Sequence, residues 1–304
     1  MTMETTLIQR GCGARPEWFD WATSVEPAIG RIDVAGARIN YRVWGEPGQP
    51  GIVLVHGGAA NAHWWDHVAP WLCAGRRVVA LDLSGHGDSD HRGEYSRALW
   101  ADEVMAVAGA ANFGGRPVIV GHSLGGFVTL EVAERFGRAL AGIVVIDSAV
   151  RGAAPEAAAR LLRRTSAGVR TYPTLARIVE RFRPLPEDTE VPRWLSEYLA
   201  HRSIRAVPDG YRWQFDLKIF GAAGLTPDEV VRAACPVALV RGQWGFLTPG
   251  LSQQLAARTG PGTVQVTIPQ AGHHIMLDQP LALTAVVDTL AASWLVVRHE
   301  VDTP

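Results

Sequence analysis

In the stretch "VIVGHSLGGFV", Ser123 lies between Gly121-His122 and Leu124-Gly125, which fits G-x-S-x-G directly after an apolar run and before a helical one. A serine on such a strand-to-helix turn projects its hydroxyl from the end of a sheet, and small residues at 121, 125 and 126 let the backbone turn and the helix approach. The bland alternative is a helix cap; the flanking glycines favour a nucleophile. The helix start would also offer N–H groups and a positive dipole end to developing negative charge. A second apolar run, "GIVLVHGG", ends in His56-Gly57-Gly58. An N–H of that loop, expected at Gly58 with Ala59 as fallback, would join the Leu124 N–H in an oxyanion hole, while His56 holds the loop. The general base has two candidates. "TIPQAGHHIMLDQP" carries His273 and His274 before a helix opened by Pro280, and imidazole suits proton transfer near neutral pH.

These residues need a sheet to bring them together. Apolar runs at 51–57, 76–83, 117–123, 142–148, 236–242 and 263–270 have the continuous character of strands buried on both faces. Helical stretches such as "SRALWADEVMAVAGAA" and "LGGFVTLEVAERF" alternate with them, so the fold class is α/β, a doubly wound, mostly parallel sheet. Ahead of these runs, "RIDVAGARINYRVWG" alternates around Gly36 as an antiparallel edge hairpin. The interval 151–226 is too long for one crossover. Its Ala, Arg and Leu at helical spacing, broken by Pro173, Pro184, Pro186, Pro192 and Pro208, predict an inserted helical cap, leaving 1–150 and 227–304 as the core.

Composition narrows the partners. With 304 residues, a formal net charge of -1 and 47% hydrophobic residues, the chain can bury a large core and offers no electrostatic footprint for nucleic acid or an anionic membrane. Cys12, Cys73 and Cys235 are odd in number and lack ligand spacing, so no disulfide framework or zinc site is expected. No signal peptide or spanning segment stands out, and the expected setting is cytoplasmic. The partner expected is a hydrophobic small molecule, with no cofactor and no metal.

Taken together, "HGG" at 56–58, "LDLSGHGDSD" at 81–90, "GHSLGG" at 121–126, "VVIDSA" at 144–149 and "AGHHIMLDQP" at 271–280 resemble the α/β-hydrolase superfamily, in its capped type. The resemblance covers nearly the whole chain. It implies His273 as the base, because Gly272-His273 with Asp278 and Pro280 fits the family register, and it leaves His274 as a pocket neighbour. It also implies acyl-enzyme chemistry, or serine used as a base, since epoxide hydrolases and haloalkane dehalogenases of this superfamily carry aspartate where Ser123 stands.

One family residue is missing. The resemblance places the acid of the triad three residues after Gly242, and in "RGQWGFLTP" that position is Gly245. Asp147, at the end of "GIVVIDS", lies in the right chain order, and strand ends on one edge of a parallel sheet face a shared crevice. Asp147 is therefore the expected acid. Asp216 is a distant second, Asp228, Glu229 and Asp278 have weaker claims beside helix starts, and Gln243 could orient the base without charge. Trp64, Trp65, Trp194, Trp213 and Trp244 are expected to line an apolar pocket. The function expected is a serine hydrolase of an ester, lactone or thioester. A C–C hydrolase or cofactor-free lyase or cyclase on the same site, and a non-catalytic binder on a decayed scaffold, are the alternatives.

Overall fold

The computed structural model describes residues 14–149, 170–184, 191–221 and 232–295. Its strands are β1 (Ala28–Val34), β2 (Ala37–Trp44), β3 (Gly51–Val55), β4 (Arg77–Leu81), β5 (Val118–His122), β6 (Gly142–Ile146), β7 (Ile204–Val207), β8 (Gly210–Trp213), β9 (Val237–Gly242) and β10 (Val264–Ile268). Eight form one sheet in the order β1-β2-β4-β3-β5-β6-β9-β10. From β4 to β10 all pairs are parallel, whereas β2 runs antiparallel to both neighbours.

Side-chain parity shows why the central runs are apolar throughout. Ile52 and Leu54, Val78 and Ala80, Val118 and Val120, and Val144 and Ile146 face one core. Their alternates Val53 and Val55, Val79 and Leu81, Ile119, and Ile143 and Val145 face the other. Successive strand residues point to opposite faces, so both faces must be covered. One core also holds residues of α2 (Arg97–Ala110) and α3 (Leu124–Phe136), and the other holds residues of α8 (Pro280–Trp294). The edge hairpin is less of an edge than expected: β1 alone is terminal, and β2 is buried against β4.

The described part of the intervening region carries α4 (Leu175–Val179), α5 (Arg193–His201) and the β7–β8 ribbon. That ribbon departs from the all-helical expectation. Its cause was in the sequence, because Pro208-Asp209-Gly210 is a turn sequence, with Pro208 and Asp209 in the turn and Gly210 opening β8 at φ 134°. The expected helix around 154–166 and both cap boundaries, 150/151 and 226/227, lie outside the described residues. The region is tied to the core by backbone bonds from Gly87 N–H to Gln214 O (2.8 Å) and from Asp216 N–H to Gly85 O (2.8 Å). Tyr198 Oη also donates to Asp66 (2.9 Å). The remaining helices are α1 (Glu17–Ser24), α6 (Pro249–Thr259) and the short α7 (Ile275–Asp278). No described helix is long and apolar enough to cross a membrane.

Candidate active site

Ser123 follows β5, Asp147 follows β6, the 243–248 loop follows β9 and His273 follows β10, so neighbouring strands deliver these residues to one edge of the sheet. Ser123 sits on a tight turn with φ 54° and ψ -114°. The turn closes because Gly125 has no side chain: a Cβ there would come within 2.5 Å of the His56 and Val55 carbonyl oxygens. Ser123 N–H donates to Ile146 O (2.9 Å), and Ser148 Oγ donates to Ser123 O (2.8 Å). The backbone of Ser123 is thus braced from β6.

Ser123 Oγ lies 3.0 Å from His273 Nε2, and His273 Nδ1 lies 2.7 Å from Asp147 Oδ2. The Asp147 side chain is fully buried and accepts two more bonds, from Phe246 N–H (2.7 Å) and Leu247 N–H (3.1 Å). Three hydrogen bonds therefore converge on one carboxylate, which satisfies its oxygens where water does not reach. The loop lacking an acid is the loop that holds it. A Cβ on Gly245 would lie 2.6 Å from Asp147 Cγ, so the absent side chain is the space the carboxylate occupies. Phe246 also stacks on the His273 ring, with centroids 4.3 Å apart.

Strain collects here. Ala59, Ser123 and Asp147 are non-glycine residues with φ of 59°, 54° and 45°. Such conformations cost about 1–3 kcal/mol each and persist where surrounding contacts over-determine them. Ala59 and Gly58 form the turn after β3, and a Cβ on Gly58 would touch Leu124 Cδ1 at 3.4 Å. Leu124 opens α3, so its N–H precedes the intrahelical ladder and is available to a ligand. His56 accepts Leu83 N–H (3.1 Å) and its other ring nitrogen meets Gly57 O (2.7 Å), bracing the loop.

His122 Nε2–H donates to the His273 carbonyl oxygen (2.9 Å), tying the strand before Ser123 to the loop of His273. Burial, reinforced by His273 and His274, holds the His122 imidazole well below its ordinary pKa and keeps it neutral. Nitrogens of His122, His273 and His274 come within 4.8 Å of one another, a grouping that could hold a metal ion. Both His273 nitrogens already face Asp147 and Ser123, so an ion there would compete with the contact to Ser123.

Burial also lowers the pKa of His56, His67 and His86. A histidine depressed in the folded state contributes stability above its unfolded pKa, near 6.5, and loses it as the pH falls below that value. Each adds a slope of up to about 1.4 kcal/mol per pH unit. The melting temperature is therefore expected to fall steadily from pH 6.5 to 5 in thermal scans. A flat profile would contradict neutral burial of these four rings.

Several expected residues lie elsewhere. Trp64 and Trp213 line a cavity together with Gly58 and Ala59. Trp65 is instead buried in the core, Trp194 packs on Phe19 of α1 at 4.5 Å, and Trp244 is 62% exposed. Trp244 meets the site only through its backbone, whose N–H donates to Ala271 O (2.9 Å). His274 is buried beside His273 and Trp64. Asp216 accepts from Tyr95 Oη (2.9 Å), and Gln243 accepts from Gln270 N–H (2.9 Å); neither is directed to His273. Asp278 accepts Gly272 N–H (2.7 Å) and so holds the loop of His273. Asp228 and Glu229 lie outside the described residues. Phe246 and Leu247 were missed, because backbone donors leave no mark in side-chain patterns.

A model of the alpha/beta hydrolase family matches residues 52–286. The chain belongs to this family. Esterase Rv0045c of Mycobacterium tuberculosis is 31% identical to it over 271 residues, covering 86% of this chain and 88% of the relative. A solved hypothetical protein from Pseudomonas aeruginosa is similar at 29% identity and a TM-score of 0.70, covering 87% of this chain and 98% of that one. E-2-(acetamidomethylene)succinate hydrolase shares the fold at 20% identity and a TM-score of 0.75, covering 88% and 100%. This α/β-hydrolase is therefore an enzyme of the hydrolase class, and its eight-stranded, mostly parallel sheet with helices has the alpha/beta hydrolase fold.

Proposed function

We propose that this hydrolase cleaves a carboxylic ester, lactone or thioester of a hydrophobic small molecule, with Ser123 as nucleophile, His273 as base and Asp147 as acid. The observation that carries the reading is the unbroken relay of 3.0 Å from Ser123 Oγ to His273 Nε2 and 2.7 Å from Nδ1 to a buried carboxylate. His273 takes the hydroxyl proton as Oγ attacks the carbonyl carbon, and the N–H groups of Gly58 and Leu124 receive the oxyanion. Collapse expels the alcohol or thiol, which takes the proton back from His273. A water, deprotonated by the same imidazole, then attacks the acyl-enzyme and releases the acid.

The esterase named among its relatives supports this class of chemistry. Gly245 lacks an acid, but the Asp147 carboxylate lies over it, which supports a working triad against a non-catalytic binder. Turnover of a panel of 4-nitrophenyl esters and thioesters, beside a vinylogous diketone of similar size, tests the proposal. Ester or thioester hydrolysis is the expected result. Cleavage of the diketone with the esters untouched would overturn it in favour of C–C hydrolysis.

A further inference from the structure

The substrate class can be narrowed, on the footing of the ester-hydrolase reading above, from the unlike groups that line one cavity. The lining includes the Gly58-Ala59 turn, beside which the reacting carbonyl would sit. Elsewhere on the lining are Arg181 and Arg183, two exposed residues that follow α4 and flank the buried Phe182. Phe182 lies against Trp64 and Trp213, with ring centroids 6.4 and 5.8 Å apart, so aromatic wall joins the two features. Among the described residues, this lining has two guanidinium groups and no carboxylate.

The arginines have few competing engagements. Arg183 Nη1 donates to the carbonyl oxygens of Phe182 (2.6 Å) and Glu180 (3.2 Å), which orients the guanidinium and leaves its other N–H groups for a ligand. Among the described residues, neither Arg181 nor Arg183 has a carboxylate partner. A purely neutral acyl chain would gain nothing from two cations at its pocket. An oxyacid anion would gain charge-assisted, bidentate bonds from planar forks that match its oxygens.

We propose that the natural substrate carries an oxyacid anion, a carboxylate or a phosphate, on the part of the molecule remote from the scissile bond, and that Arg181 and Arg183 bind it. The substrate is then an amphipathic ester: a reacting carbonyl, an apolar middle against the aromatic wall, and a charged end at the arginines.

The test compares kcat/KM for 4-nitrophenyl esters of straight-chain acids that end in methyl, carboxylate or phosphate, matched in length across a series. At least one anionic series is expected to exceed the methyl series by about tenfold, with the advantage shrinking as salt is raised. Whichever anion gains more identifies the source of the charge. In Arg181→Gln/Arg183→Gln the anionic-to-methyl ratio should fall to about one, and in Arg181→Glu/Arg183→Glu below one. Turnover of the methyl series with no anionic advantage at any length overturns this inference and leaves the hydrolase reading standing. So does an advantage that both double variants retain. Failure of the wild type to hydrolyse any of the three series overturns both.

Discussion

Replacing Asp147 by asparagine is expected to lower kcat for ester hydrolysis by about 10⁴, the loss that follows when the acid of a serine-protease triad is made an amide. The side chain keeps its shape, so the loss isolates charge and donor direction. Phe246 N–H and His273 Nδ1 both meet Oδ2, and Leu247 N–H meets Oδ1. Every one of these donors needs an acceptor. An amide offers one acceptor oxygen and one NH2, so at least one donor must face another donor in a fully buried site. If the amide oxygen takes the Oδ1 place and serves Leu247 N–H, its NH2 faces His273 Nδ1 and drives the imidazole into the tautomer whose Nε2 carries a proton and cannot take one from Ser123. Steady-state rates on a short-chain 4-nitrophenyl ester check the prediction, with KM changing little because no ground-state contact to substrate is removed. A loss of less than tenfold would mean that Asp147 only supports the loop.

The second large effect is expected from a single methyl group. Gly245→Ala would set a Cβ 2.6 Å from both Asp147 Cγ and Oδ2, closer than real Cβ atoms approach their neighbours. The carboxylate cannot simply retreat, because the Phe246 and Leu247 N–H groups fix it from the same loop. Loop and carboxylate must separate, and a displacement of about 1 Å in a catalytic constellation costs on the order of 10²-fold in rate. Gly250→Ala is the matched control, since a Cβ there meets nothing within 4 Å and α6 favours alanine over glycine. Measured side by side, the Gly245 variant should lose about 10² in kcat while the Gly250 variant keeps its activity. Equal activity of the two would remove the steric account of Gly245. Gly245→Asp should fare no better than alanine, because it restores an acid at a position whose volume Asp147 already fills.

The sheet was legible because its strands are covered on both faces. Residues such as Ile52-Val53-Leu54-Val55 serve two cores at once, and that requirement writes an unbroken apolar run into the sequence. The ribbon was legible in principle from Pro208-Asp209-Gly210 but was obscured by the helical composition around it. Ser123 could be read because its turn demands small neighbours on both sides. Asp147 could be nominated from strand order, but nothing in its neighbours marks the role. What distinguishes it is two backbone N–H groups a hundred residues away and a glycine beneath the carboxylate, and backbone donors have no residue type. Trp244 misled for a related reason: an aromatic beside a glycine invites a pocket, yet the loop presents its backbone inward and its indole to solvent. Arg181 and Arg183 depend on how the region around α4 docks, which pairings such as Tyr198 with Asp66 decide over long separations.

The relay from Asp147 through His273 to Ser123 is tested most directly by the rate at which a fluorophosphonate bonds covalently to the protein, with the modified residue located by peptide mass spectrometry. This reads nucleophile activation without any assumption about the substrate. The wild type is predicted to be modified at Ser123 alone, and Asp147→Asn to react there slower by three to four orders of magnitude, about the size of the triad effect. Modification of Ser123 at the same rate in both proteins, or none at Ser123 in the wild type, would contradict the account.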